Sequence, residues 1–192
     1  MRLIENFIAG EYSAGQSGKT FDKRSPLDNR VIARVSEAGR GEVDAAVRAA
    51  RAALGGEWGA LTLDQRVELL YGVANEITRR FDDFVAAEMA DTGQPRHVMT
   101  HAFIPRGAAN FKVFADVVKN VPNESFQMAT PDGRGALNYA IRVPKGVIGV
   151  ISPWNAPFLL MTWKVGPALA CGNTVVVKPS EESPHTATLL GE

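Results

Sequence analysis

The feature that most constrains the fold is a pair of apolar runs joined by a helical stretch. Val147-Ile148-Gly149-Val150-Ile151 and Asn173-Thr174-Val175-Val176-Val177 are nearly continuous and rich in β-branched residues. That is the pattern of strands covered on both faces of a parallel sheet. Phe158 to Ala170, between them, is mostly apolar and predicts a helix, with Gly166-Pro167 expected to interrupt it. Parallel neighbours need such a crossover, and it packs right-handed. Residues 146–178 therefore predict a β-α-β unit and an α/β fold.

In open α/β sheets, ligands sit beyond the carboxyl ends of the strands. Two polar stretches fall at such ends: Ser152-Pro153-Trp154-Asn155 after the first strand, and Lys178-Pro179-Ser180-Glu181 after the second. Asn155 offers an amide donor in a turn stiffened by Pro153 and Pro157. Position alone leaves it two roles, a cap for the following helix or a fixed donor to a developing oxyanion. Lys178 and Glu181 combine a donor with an acceptor, a pair able to grip a vicinal diol such as a ribose. An incidental ion pair at a solvated strand end is the plainer alternative. A carboxylate beside a 2′-hydroxyl would repel a 2′-phosphate and favour NAD over NADP.

Other chemistry-bearing residues read as structural. Gly39-Arg40-Gly41 has Asp44, and Gly133-Arg134-Gly135 has Asn138, where a dinucleotide fingerprint needs its third glycine. Cys171, the sole cysteine, has apolar neighbours and reads as a small buried hydrophobe. It also excludes an intrachain disulfide. His97 and His101 lie four apart with no third ligand at a suitable spacing, so surface histidines are expected, and His185 is remote from them. Trp58, Trp154 and Trp163 read as core or domain-contact residues. Arg106, beside Pro105, reads either as a solvated helix arginine or as a clamp for a carboxylate.

Upstream, residues 1–35 predict short strands and turns, with Phe7 to Tyr12 a strand entering a turn and Val31 to Val35 another strand. Helical spacing runs from Glu42 to Leu54 and ends at Gly55-Gly56. A second helix opens at Thr62, where Gln65 completes a capping box. Phe81 to Ala90 continues or restarts it, with Gly93 and Pro95 as stop signals. Residues 98–119 predict a helix kinked or broken at Pro105. Pro122 to Gly135 is turn-rich. Residues 136–143 alternate as a strand with two fairly apolar faces, which asks for cover or a partner chain.

Lys+Arg and Asp+Glu both number 21, so the net charge is zero and neither nucleic acid nor an anionic membrane is the expected partner. No run of about 18 apolar residues could span a bilayer, and the first residues lack the apolar core of a signal peptide. A cytoplasmic protein is expected.

The wording of several segments resembles the aldehyde dehydrogenase superfamily along essentially the whole chain. The resemblance is carried by Asn6-Phe7-Ile8-Ala9-Gly10, Pro153-Trp154-Asn155, Gly166-Pro167-Ala168-Leu169-Ala170-Cys171-Gly172-Asn173-Thr174 and Lys178-Pro179-Ser180-Glu181. It implies a Rossmann-like cofactor domain divided into strands and helices over 1–130, an oligomerisation strand segment over 131–145 and the first β-α-β unit over 146–192. It implies Asn155 as the oxyanion-hole amide, and Ile151, Ser152, Pro153, Trp154, Lys178, Ser180 and Glu181 as cofactor-binding, with NAD as the cofactor. It makes Cys171 structural. The reaction so implied is thiolate attack on an aldehyde, hydride transfer to NAD and thioester hydrolysis aided by a glutamate. The nucleophile, that glutamate and a Gly-rich loop would lie beyond Glu192, so the chain is expected to be an N-terminal fragment, inactive alone. A homo-oligomer is expected of the whole. Within the superfamily the chain most resembles the 2-hydroxymuconic and 2-aminomuconic semialdehyde dehydrogenases of aromatic-ring degradation, where an arginine aligned with Arg106 would hold the substrate's distal carboxylate. The competing expectation is a non-catalytic nucleotide-binding or subunit-interaction fragment.

Overall fold

A computed structural model describes residues 2–192; Met1, the first residue of the predicted 1–35 strand segment, lies outside them. β1 (Arg2–Ile4) leads into a hairpin of β2 (Asn6–Ile8) and β3 (Glu11–Ser13). The sequence predicted one strand there. Ala9 and Gly10 instead take φ of 54° and 84°, the two positive values of a type I′ turn, which folds the segment back on itself. β4 (Thr20–Arg24) and β5 (Val31–Ser36) complete a sheet of order β1-β5-β4, with β1 parallel and β4 antiparallel to β5.

α1 (Arg40–Leu54) and the short α2 (Glu57–Ala60) come next. α3 (Leu63–Arg79) starts at the predicted box: the Thr62 hydroxyl accepts the Gln65 N–H, and the Gln65 side chain accepts the Thr62 N–H. α4 (Phe81–Thr92) ends where predicted, at Gly93 with φ of 66°, a left-handed cap that a Cβ would strain. The chain then stays helical through α5 (Arg96–Val98), a π-helical turn (Met99–Phe103) and α6 (Ile104–Lys119). The break expected at Pro105 is absorbed by that wide turn just before it, since proline's missing N–H leaves a carbonyl one turn back to be accommodated.

β6 (Ser125–Met128) and β7 (Ala136–Tyr139) form an antiparallel hairpin. β6 falls in the stretch read as turn-rich, and β7 is shorter than the strand predicted to residue 143. The hairpin begins at Ser125. Its residues are largely exposed, so no burial alternation marks β6 in the sequence.

β8 (Val147–Ile151) and β9 (Thr174–Lys178) pair in parallel across α7 (Pro157–Ala170), the predicted β-α-β unit. α7 runs unbroken through Gly166-Pro167, contrary to expectation. Tertiary packing explains this: Gly166 lies so close to Phe114 that a Cβ would sit 3.1 Å from that ring. α8 (His185–Gly191) closes the described chain.

The main core gathers α3, α4, α6 and α7 around Leu70, Phe84, Phe111, Phe158 and Met161. Phe158 is fully buried and packs against Phe84, the two rings tilted by 43° with 4.8 Å between their centroids. Truncating such a ring to alanine typically costs about 3–5 kcal/mol. Gly107 lets α6 approach, because a Cβ there would come within 2.4 Å of the Phe158 ring. Further along, Asn110 Nδ2 donates to Thr162 Oγ1 at 3.0 Å, and Gly166 meets Phe114. The contacts 107–158, 110–162 and 114–166 rise together, so α6 and α7 are parallel and begin at the same end.

Candidate functional site

The end of the parallel strand pair is where the two polar stretches meet. Ile151 and Lys178 are register partners, and Ser152 N–H donates to the Lys178 carbonyl at 3.1 Å. The loop after β8 is closed on itself, because the buried Ser152 hydroxyl donates to the Pro157 carbonyl at 3.1 Å. The Asn155 carbonyl accepts from Gln94 Nε2 at 2.9 Å, which fixes the backbone there. The Asn155 side chain is exposed and is not a helix cap: the cap residue of α7 is Ala156, with no side-chain cap bond. Its amide is therefore uncommitted among the described residues. Ile151 and Trp154 are exposed apolar side chains beside it, at 72% and 65%, and Pro153 is half-buried.

Across the gap, Lys178 Nζ and Glu181 Oε2 pair at 3.0 Å, both facing solvent. The Glu181 backbone N–H, and then the Lys178 ammonium, hold the Glu181 carboxyl below the usual carboxylate range, so it is anionic at neutral pH. Ser180 is turned inward. Its hydroxyl accepts the Glu182 N–H at 3.2 Å and is spent on shaping the loop.

Arg106 is exposed on the first turn of α6, with no hydrogen-bond or ion-pair partner among the described residues. Since α6 and α7 begin at the same end, Arg106 sits at the end of the helix pair that carries Asn155.

Cys171 sits differently from expectation. It is exposed, as it caps the C-terminus of α7 rather than packing within it. His185 is buried, with its Nδ1 against Asp91 Oδ1 at 2.5 Å and its N–H on Asp91 Oδ2 at 2.8 Å. His97 and His101 are exposed, and His101 Nδ1 lies 2.9 Å from the His97 carbonyl. No cluster of three metal-ligating side chains occurs among the described residues. Trp58 bonds the Gly172 and Asn173 carbonyls and pins α2 to the start of β9. Trp154 and Trp163 are exposed rather than core. No helix among the described residues is long and apolar enough to cross a membrane.

Behind the site lie buried polar groups that sequence reading missed. Glu88 is fully buried and Oε1 accepts the Phe158 N–H at 3.1 Å. Burial pushes its carboxyl up to about 7, against a weaker lowering pull from that N–H and from the Thr186 hydroxyl. Glu88 Oε2 and Thr186 Oγ1 nonetheless reach no hydrogen-bond geometry. Lys23, 2% exposed, donates to the Arg24 and Asp91 carbonyls at 2.6 and 3.2 Å. A signal for the acids was available: Glu88 and Asp91 fall four and seven residues after Phe84, on the helix face that turns inward.

Residues 12–192 match the aldehyde dehydrogenase family. The chain is 65% identical over its full 192 residues to 2-hydroxymuconic semialdehyde dehydrogenase from Pseudomonas sp. (strain CF600), covering 40% of that protein. It is 56% identical over 192 residues to a 2-aminomuconic 6-semialdehyde dehydrogenase of Pseudomonas sp., covering 39% of it. The chain thus spans about 40% of the length of these curated relatives. Its fold superposes on the NAD+ complex of an aldehyde dehydrogenase from Bacillus cereus with a TM-score of 0.93 at 34% identity, over 99% of this chain and 38% of that one.

Proposed function

The chain belongs to the aldehyde dehydrogenase family, and on that premise we propose that it supplies the oxyanion donor and the ribose grip of an enzyme that oxidises an aldehyde to its carboxylic acid with NAD. The observation that carries the reading is the register pair Ile151–Lys178, which brings an uncommitted amide and a charged donor–acceptor pair to one sheet end.

Lys178 and Glu181 fit a nucleotide ribose. Their donor and acceptor atoms lie 3.0 Å apart and face solvent, matched to adjacent hydroxyls. The anionic Glu181 disfavours a 2′-phosphate. Ile151 and Trp154 offer apolar surface beside the pair, Pro153 stiffens their loop and Ser180 holds the turn that aims Glu181. NAD, when bound, supplies the hydride acceptor. The Asn155 amide donates to the aldehyde oxygen as negative charge builds on it, and a fixed donor needs no reorganisation at that moment. Cys171 cannot serve that carbon. α7 separates it from Asn155 by 14 residues, about 21 Å at ~1.5 Å per residue. Thiol chemistry at Asn155 requires a cysteine outside this sequence.

The substrate reading is a muconic semialdehyde, the compound class named for the relatives. Arg106, unpaired and at the Asn155 end of the helix pair, is suited to hold the distal carboxylate in a bidentate pair. The exposed apolar hairpin β6–β7 is suited to pair with a second copy of the protein. The test is NADH formation by the protein carrying this chain, given NAD and 2-hydroxymuconic semialdehyde. Turnover is expected. A folded protein inert towards this and towards simple aliphatic aldehydes would overturn the reading.

A further inference from the structure

α4 lies behind both loops of the proposed site. Glu88 and Asp91 are three residues apart on it, 0% and 4% exposed, and each carboxylate takes a backbone N–H from another element. Glu88 Oε1 takes the Phe158 N–H, three residues after Asn155. Asp91 Oδ2 takes the His185 N–H, four residues after Glu181, while its other oxygen meets the His185 ring. The two bonds to one residue fix its backbone and its side chain together. Lys23, bonded to the Asp91 carbonyl, ties this end of α4 to β4 in turn.

Burying two carboxyl groups three residues apart is unfavourable unless their bonds accomplish something apolar packing does not. Apolar residues would fill the same volume but leave two buried N–H groups without acceptors. What the acids add is direction, since a charged or polar acceptor sets where the donor must lie. We infer that Glu88 and Asp91 are a pair of positioning residues, Glu88 setting the loop that carries Asn155 and Asp91 the loop that carries Lys178 and Glu181. The inference rests on the proposed function for what those loops do, but not for the contacts themselves.

The pair makes a crossed prediction that a merely structural role would not. In the protein carrying this chain, Glu88→Met should lower kcat with the semialdehyde about tenfold while NAD affinity changes by less than about twofold, because small misplacements of a donor act on the transition state. Glu88→Gln, which keeps the acceptor oxygen, should restore kcat. Asp91→Ala should weaken NAD binding about tenfold and leave kcat at saturating NAD within about threefold. Amide hydrogen exchange gives a second readout, with Phe158 losing protection in Glu88→Met only and His185 in Asp91→Ala only. If these variants do not fold, Glu88→Asp and Asp91→Asn each weaken one grip, and the same crossed pattern is expected at about threefold. Variants that shift kcat, NAD affinity and both amides alike would overturn the inference, as would folded variants that shift none. If the wild-type protein oxidises no aldehyde, the functional reading fails, and the exchange pattern alone then decides the positioning roles.

Discussion

Ser152 donates its backbone N–H to the Lys178 carbonyl at 3.1 Å, just past the last register pair of β8 and β9. The loop with the amide donor and the loop with the charged pair are thus joined at their bases, at the strand ends where α/β sheets bind ligands. That bond ties together the bases of the loops with the proposed oxyanion donor and the proposed ribose grip, while their side chains remain separately accessible to substitution.

On the proposed reading, Glu181 is the residue that favours NAD over NADP. Glu181→Ala removes the acceptor for a ribose hydroxyl and the charge facing a 2′-phosphate, so NAD affinity should fall about tenfold while NADP affinity holds or improves. Titration of both cofactors checks this. A parallel loss of both would place Glu181 outside the ribose site.

Arg106 should matter only for substrates with a second carboxylate. Arg106→Ala is expected to raise KM for the semialdehyde by about tenfold to a hundredfold and to leave a neutral aldehyde nearly unchanged, since a charge-assisted pair contributes roughly 1.5–3 kcal/mol. Steady-state kinetics on both substrates decides it. Equal effects would show that Arg106 holds no carboxylate.

Glu88 makes stability depend on pH. Its carboxyl is pushed from 4.5 to about 7 in the folded protein, so between those values the folded state holds a proton that the unfolded state has lost. Stability should therefore fall as pH rises through this window and level off above it. Glu88→Gln cannot titrate, so its stability relative to wild type should climb by up to about 3 kcal/mol from pH 4.5 to 7. Denaturant unfolding at several pH values measures the gap. A gap independent of pH would mean that burial does not raise this group.

The β6–β7 hairpin exposes Phe126, Leu137 and Tyr139 by more than half, and Ile141 and Val143 beyond it even more. Charging it with Leu137→Lys and Tyr139→Lys should shift the protein towards smaller assemblies, because edge strands are blunted by lysine. Light scattering after gel filtration reads the mass. An unchanged mass would exclude the hairpin from the subunit interface.

Much of this architecture is legible in the residues. Val147–Ile151 and Asn173–Val177 read as parallel strands because both are continuous apolar runs, although most of their residues are half-buried or exposed rather than covered on both faces. Thr62 with Gln65 forms the capping box that their spacing predicts. The site loops were legible for the same reason, since each begins where one of those two apolar runs ends. Ser125–Met128 was not, because a strand exposed on both faces carries no period. Gly166-Pro167 misled, since local helix-breaking was overridden by packing on Phe114. Glu88, Asp91 and His185 escaped because their roles come from contacts 70 to 94 residues apart, which only the fold brings together.

The most direct test of the proposed chemistry is Asn155→Ala in the protein carrying this chain, measured by NAD titration and by single-turnover hydride transfer. The Asn155 side chain is exposed and caps no helix, so the fold and NAD affinity should be unchanged. Loss of the amide should slow hydride transfer by about 10²–10³. An unchanged transfer rate, or a loss confined to NAD binding, would contradict Asn155 as the oxyanion donor.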